Sequence, residues 1–126
     1  YKEIEDEGQD AISSGWVITE KYIKGKKCCK ARLVVHGNQS LDEIRTDSPT
    51  VSKSSLRIQF FLAAQHGWRI RTADVTAAFL QSHELDRDVF VRPPADIHNP
   101  GTIWKLRVAV YGLGDAGKHW YETIAQ

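Results

Sequence analysis

The chain has 126 residues, of which 41% are hydrophobic and 26% are charged, and this size suits one small domain or a part of a larger one. No apolar run approaches the roughly 20 residues that a membrane span requires, and the first residues lack a signal-peptide pattern, so we expect an intracellular chain without a membrane segment. The net charge of +1 hides an acidic start and a basic stretch at residues 21–32.

Residues 1–14 are acidic and predict a linker or loop. A β-hairpin follows, with strands at residues 15–23 and 28–35 joined by a Lys/Gly-rich turn. In the second strand Lys30 and Arg32 share one face, while apolar residues occupy the other face, which we expect to be buried. The cationic face is either a solvated surface or a surface that binds phosphate. Arg can bind phosphate through its planar guanidinium group, and Lys through the single charge of its ammonium group.

Residues 37–47 are polar and predict a loop, after which a helix is expected from Ser54 to His66. Ser52 or Ser54 is available as its N-cap, and Gly67 is the expected C-terminal stop. The apolar stripe of this helix is wide. We therefore interpret the helix as part of the core, covered on most of its circumference, and not as a cofactor site.

Residues 69–75 read as a short apolar strand that brings Asp74 to its end and leads into a helical stub carrying Phe79. A carboxylate in so apolar a run is costly unless it is paired or bound to a cation. Two hypotheses remain open at this point. Asp74 caps the following helix, or it binds a cation.

In the second half of the chain the pattern predicts two more strands, at residues 89–92 and 103–106, and a glycine turn at residues 111–115 that leads into a helix from Ala116. The apolar face of this helix is expected at Trp120, Tyr121 and Ile124. The acidic residues at positions 84, 86 and 88 favour a polar loop over a metal cluster, since nothing in the pattern fixes their side chains. The five histidines have no metal-ligand spacing.

A series of short blocks then points to a family: Trp16, Lys30–Gly37, Asp47–Val51, Gly67–Trp68, Ala73–Leu80, Val89–Pro94, Trp104–Leu106, Val110–Leu113 and Trp120–Tyr121. In this order and approximate spacing they resemble the reverse transcriptase of copia-type retrotransposons. Each block is weak by itself, and the specificity lies in the ordered set.

The resemblance implies an α+β fold, with residues 15–126 forming a partial reverse transcriptase domain. A fingers β-hairpin and helices would pack on a partial palm sheet of a right-hand polymerase. That sheet would contain the Asp74 strand and the strands near Val89 and Ile103. An open apolar sheet edge is expected, through which the chain could self-associate.

The resemblance also implies the site residues. Asp74 matches a catalytic aspartate that binds Mg²⁺ together with the carbonyl oxygen of Val75, in a two-metal reaction that needs carboxylates at a strand end. Phe79 resembles the steric gate that excludes a ribose 2′-hydroxyl. For the remaining nucleotide-binding residues, Lys30 and Arg32 match positions that hold the incoming triphosphate, and Tyr111 and Gly112 match the turn near the nascent base pair.

The paired aspartates of the family's Tyr-x-Asp-Asp hairpin would lie beyond Gln126. We therefore expect a segment that works with template-primer, dNTP and the rest of a polyprotein, namely the remaining palm, a thumb and an RNase H domain, and that does not polymerise DNA alone. It would act in the cytoplasm, in virus-like particles or in the nucleus. The alternatives are a degenerate or domesticated remnant that binds nucleic acid, or a structural remnant.

Overall fold

The computed structural model describes residues 1–39, 46 and 48–126 of the chain. The described residues form strands β1 (Lys2–Glu5), β2 (Ala11–Ile23), β3 (Lys26–Val35), β4 (Phe90–Arg92) and β5 (Thr102–Lys105), and helices α1 (Lys53–His66) and α2 (Ala116–Ile124). The five strands make one mixed sheet in the order β1-β5-β4-β2-β3. Strand β2 runs parallel to β4, and the other neighbours are antiparallel. The expected mixture of helices with a sheet is confirmed.

The predicted hairpin is present as β2 and β3. Its tight turn places Lys24 and Gly25 at φ 50° and 77°, the positive values that a two-residue hairpin turn requires. The expected burial of one face is wrong for the outer half of the hairpin, where the described side chains are mostly exposed. Burial begins at the base, where Leu33 packs against the core and Val35 enters it.

The first residues form a strand where a linker or loop was expected. Strand β1 pairs with β5, and the Glu3 carboxylate accepts hydrogen bonds from the Thr102 hydroxyl and the Asn99 amide, both at 2.7 Å. Asp6 forms an ion pair with Arg92 at 2.9 Å. The acidic residues therefore attach this segment to the sheet through groups that lie far away along the chain.

Helix α1 begins one residue before the predicted Ser54 and ends at the predicted His66, but its environment differs from the predicted one. The Ser52 hydroxyl accepts a hydrogen bond from the Ser55 N–H at 3.0 Å, and Gly67 ends the helix in the left-handed region at φ 64°. Ala63 is its one buried residue, whereas the Phe61 side chain is 67% exposed. The expectation that the core covers this helix is wrong for the described part of the chain.

Residues 68–75 are irregular, and the strand predicted at residues 69–75 is absent from the sheet formed by the described residues. A strand is stable where a neighbouring strand satisfies its backbone groups and a packed surface covers one face. Neither is present here among the described residues, and Trp68 and Ile70 are exposed. The stub that follows is a 3₁₀ helix at Ala78–Gln81.

The core lies where the sheet meets the segment before α2. Its buried members are Ile12, Val35, Val89, Val91, Trp104, Leu106, Ala109, Leu113 and Ala116. The predicted position of α2 is confirmed. Of its predicted apolar face, Trp120 is half-buried, but Tyr121 and Ile124 are exposed, and the buried residues of the helix are Ala116 and His119. No helix in the described ranges is both long and apolar enough to cross a membrane.

Candidate nucleotide and metal sites

Two of the residues that were predicted to bind the nucleotide, Phe79 and Tyr111, are neighbours. The rings of Phe79 and Tyr111 lie 5.0 Å apart between centroids, with their planes inclined at 59°. Phe79 sits on the 3₁₀ helix and packs against the core, so the core fixes the position of this ring. This ring contact joins the 3₁₀ helix to the glycine turn that precedes α2.

The glycine turn is held against the end of β3. The Tyr111 carbonyl accepts a hydrogen bond from the Val35 N–H at 2.9 Å, and the Gly112 carbonyl accepts one from the Gly37 N–H at 3.2 Å. Gly112 has φ +91°, and a Cβ atom there would lie 2.0 Å from the Val35 oxygen and 2.7 Å from Val34 Cγ1. Only glycine fits this position without a shift of the backbone.

Lys30 and Arg32 lie on the same face of β3 as Val34, because side chains alternate along a strand. Val34 approaches Gly112, so the cationic face of the hairpin and the glycine turn lie on one side of the strand. Lys30 is exposed and Arg32 is half-buried. Neither forms an ion pair with an acidic residue in the described ranges, which leaves both cations available to an external anion.

Asp74 and Val75 lie in the irregular segment and are both exposed. No hydrogen bond, ion pair or ring contact of the described residues involves the Asp74 side chain, and none joins it to Phe79 or Tyr111. The hypothesis that Asp74 caps the stub is wrong, because Ala77 occupies the N-cap position. An exposed carboxylate and a backbone carbonyl are oxygen donors of the kind that hard divalent cations bind, so the chemistry of the two residues is compatible with part of such a site.

The polar loop predicted around residues 84–88 is confirmed. Glu84 pairs with Arg107, and Asp88 pairs with Lys105 at 2.6 Å. Each of these two carboxylates therefore has a cationic partner.

The structure also brings together a group that the sequence did not reveal. One potential ligand atom from each of His83, His119 and Glu122 lies within 4.8 Å of the other two. His119 and Glu122 are one helical turn apart on α2, but His83 is distant in sequence, so no spacing rule finds the group. The sequence signal is limited to His119 and Glu122, which are three residues apart on α2 and do not by themselves form a metal motif.

Comparison with known proteins agrees with the family resemblance. Residues 4–126 match the family described as reverse transcriptase (RNA-dependent DNA polymerase). The chain is 40% identical over 120 residues to the retrovirus-related Pol polyprotein from transposon RE1 of Arabidopsis thaliana, and 38% identical over 120 residues to that from transposon RE2. Each alignment covers 90% of this chain and 8% of the relative.

The chain thus spans a small part of the curated relatives that it matches. No solved structure matches it. The match to the family covers nearly the whole chain, and the relatives confirm the predicted resemblance to copia-type elements. The chain therefore belongs to the reverse transcriptase (RNA-dependent DNA polymerase) family and is related to a segment of a copia-type retrotransposon Pol polyprotein.

Proposed function

We propose that this chain is the segment of a retrotransposon reverse transcriptase that binds the incoming dNTP and the template-primer and supplies one magnesium-binding aspartate. The observation that carries the proposal is the convergence of Phe79, Tyr111 and Gly112 at the base of the strand that presents Lys30 and Arg32. Aromatic rings at the end of a strand whose cations form no ion pair among the described residues suit a ligand with a base, a sugar and phosphates.

In this proposal the cations of β3 bind the triphosphate. Arg32 can donate two parallel hydrogen bonds to phosphate oxygens, and Lys30 adds a flexible charge. The Phe79 ring packs against both the core and the Tyr111 ring. These contacts restrict its movement, so it cannot easily make room for a larger sugar. That rigidity supports its proposed role as the group that excludes a ribose 2′-hydroxyl.

Asp74, with the carbonyl oxygen of Val75, would hold part of the magnesium site. A Mg²⁺ ion held there would supply activation of the primer hydroxyl and charge neutralisation of the leaving pyrophosphate. One carboxylate does not balance two divalent ions, and the printed sequence contains no Tyr-x-Asp-Asp. The remaining carboxylates would come from the polyprotein, which makes the remainder of the polyprotein the main partner in this proposal.

The proposed setting is intracellular, in the cytoplasm, in virus-like particles or in the nucleus. The alternative of a domesticated remnant that only binds nucleic acid is not favoured, because the family match extends over residues 4–126 and the relatives are Pol polyproteins.

The test is a Mg²⁺-dependent primer-extension assay on the polyprotein that carries this sequence. We expect Asp74→Asn to lower the extension rate by about a hundredfold or more, because loss of a group that stabilises developing charge has at least this effect. Asp86→Asn is the matched control, since Asp86 is also exposed and lies in a loop. Extension at the wild-type rate by Asp74→Asn, or an equal loss in Asp86→Asn, would reject the assignment.

A further inference from the structure

A second candidate metal site lies between α2 and the residues that follow the 3₁₀ helix. His119 Nδ1 is 3.1 Å from His83 Nε2, and His83 Nε2 is 3.7 Å from Glu122 Oε2. His119 is buried, and the other two residues are half-buried. Two imidazoles and one carboxylate thus converge at a spot that solvent reaches from one side.

The hydrogen bonds around Thr123 fix the tautomer of His83. The Thr123 hydroxyl has one proton, which it donates to the His119 carbonyl at 2.7 Å. Its oxygen accepts the His83 backbone N–H at 3.0 Å and faces His83 Nδ1 at 2.9 Å. With no second proton on the hydroxyl, Nδ1 must be the donor, so Nε2 of neutral His83 carries a lone pair.

A carboxylate fixes the tautomer of His119, as Thr123 does for His83. Nε2 of His119 lies 3.4 Å from the Asp115 carboxylate, which is buried and held by Arg87 at 3.2 Å. A carboxylate beside a ring nitrogen favours a proton on that nitrogen, which leaves the lone pair of neutral His119 on Nδ1. The lone pairs of Nδ1 of His119 and Nε2 of His83 then face each other at 3.1 Å and repel unless a cation lies between them.

That cation is a proton or a metal ion. The position of Glu122 favours a metal ion. A shared proton needs only the two nitrogens, whereas Glu122 adds a carboxylate oxygen next to them. Lys118 approaches the other oxygen of Glu122, at 3.8 Å, and leaves Oε2 facing the histidines. Metal–nitrogen bonds of about 2.0–2.1 Å across this nitrogen separation give an angle near 100°, which is close to tetrahedral.

We propose that His83, His119 and Glu122 bind a zinc-like transition-metal ion, with a fourth position open to solvent. Two imidazoles with one carboxylate select Zn²⁺ over Mg²⁺, which prefers oxygen ligands. Thr123 and Asp115 act as the outer groups that orient the two imidazoles. The ion would link α2 to the segment after the 3₁₀ helix, and its ligands do not include Asp74.

Isothermal titration of the tag-free chain with Zn²⁺ tests the proposal. We expect one ion per chain, no competition from Mg²⁺, and visible d–d absorption of tetrahedral type when Co²⁺ replaces Zn²⁺. Glu122→Gln should weaken Zn²⁺ binding by about tenfold or more, since loss of even an outer-shell group costs 10–100-fold. Because the Glu122 side chain is 43% exposed, this variant should keep its fold, which circular dichroism checks.

His83→Phe should abolish stoichiometric binding. His66→Phe is the matched control, because His66 is an exposed histidine that stacks on Trp68 and lies outside the cluster. The absence of Zn²⁺ binding by the wild-type chain would overturn the proposal in favour of a shared proton. Wild-type affinity in His83→Phe and Glu122→Gln, or an equal loss in His66→Phe, would also overturn it.

Discussion

At the scale of single residues, two separate structural constraints require glycine at position 112. Its φ of +91° disfavours an L side chain, and a Cβ would also collide with the Val35 oxygen. We predict that Gly112→Ala lowers the free energy of unfolding by about 3 kcal/mol or more, because backbone strain and a steric clash add. Urea denaturation followed by circular dichroism measures this loss.

Substitution of Gly101 distinguishes backbone strain from the steric clash. It has φ +78°, but a Cβ there would meet nothing within 4 Å. Gly101→Ala should therefore cost about 1 kcal/mol, the usual penalty of the left-handed region alone. If the two substitutions destabilise the chain equally, the close approach of the glycine turn to β3 is not a rigid feature of the fold.

At the residue scale, the sequence alone predicts little about which side chains meet at the candidate sites. The proximity of Phe79, Tyr111 and Gly112 follows from three separated segments, and only the resemblance to a family indicated that they belong together. The roles of these residues, and of Asp74, remain predictions. The His83–His119 contact carried no sequence signal, because it depends on how α2 packs and not on a spacing.

At the scale of elements, carboxylates help to attach β1 to its neighbours. Hydrogen bonds from Thr102 and then Asn99 lower the pKa of Glu3, and the Arg92 side chain and then the Gly8 N–H lower the pKa of Asp6. A lowered pKa in the folded state stabilises the fold above the ordinary carboxyl value of about 4. This stabilisation is lost as the pH falls from that value through the lowered pKa of each group.

We therefore predict that β1 loses amide protection when the pH drops from 7 to 3, while the β2–β3 ladder retains it. Hydrogen exchange, corrected for the intrinsic rate at each pH, measures both in one experiment. The double variant Glu3→Gln/Asp6→Asn is the control, and its β1 protection should be lower at pH 7 and nearly independent of pH. A wild-type β1 that stays protected at pH 3 would show that the backbone pairing with β5 suffices.

The elements that were predicted correctly have local signals. The hairpin has its turn glycine, α1 has a serine N-cap and a glycine stop, and α2 follows a glycine turn. The errors concern pairing and burial, which depend on distant residues. Strand β1 has one apolar residue and is a strand because β5 lies beside it, whereas residues 69–75 have strand-like composition but no neighbouring strand in the described structure.

At the scale of the whole molecule, two kinds of surface could mediate association. The sheet edge at β3 carries several cations, among them Lys26, Lys27 and Lys30, and charged edges oppose pairing with another chain. The edge at β1 is only 4 residues long. Helix α1, by contrast, exposes large apolar side chains, including Ile58 and Phe61. The sheet edge was the predicted surface, but the edge charges and the exposed apolar side chains of α1 favour the helix.

We predict that the chain by itself self-associates through α1, and that Phe61→Glu shifts it towards the monomer. Phe61 is 67% exposed, so the substitution removes apolar surface without opening the core, and the helix content should be unchanged. Sedimentation velocity at several concentrations measures the shift. Gln65→Glu adds the same charge at another exposed position of α1 and should leave the association constant nearly unchanged. Association that persists in Phe61→Glu would instead assign the contact to the sheet edges, and a parallel loss in Gln65→Glu would point to charge repulsion in place of apolar burial.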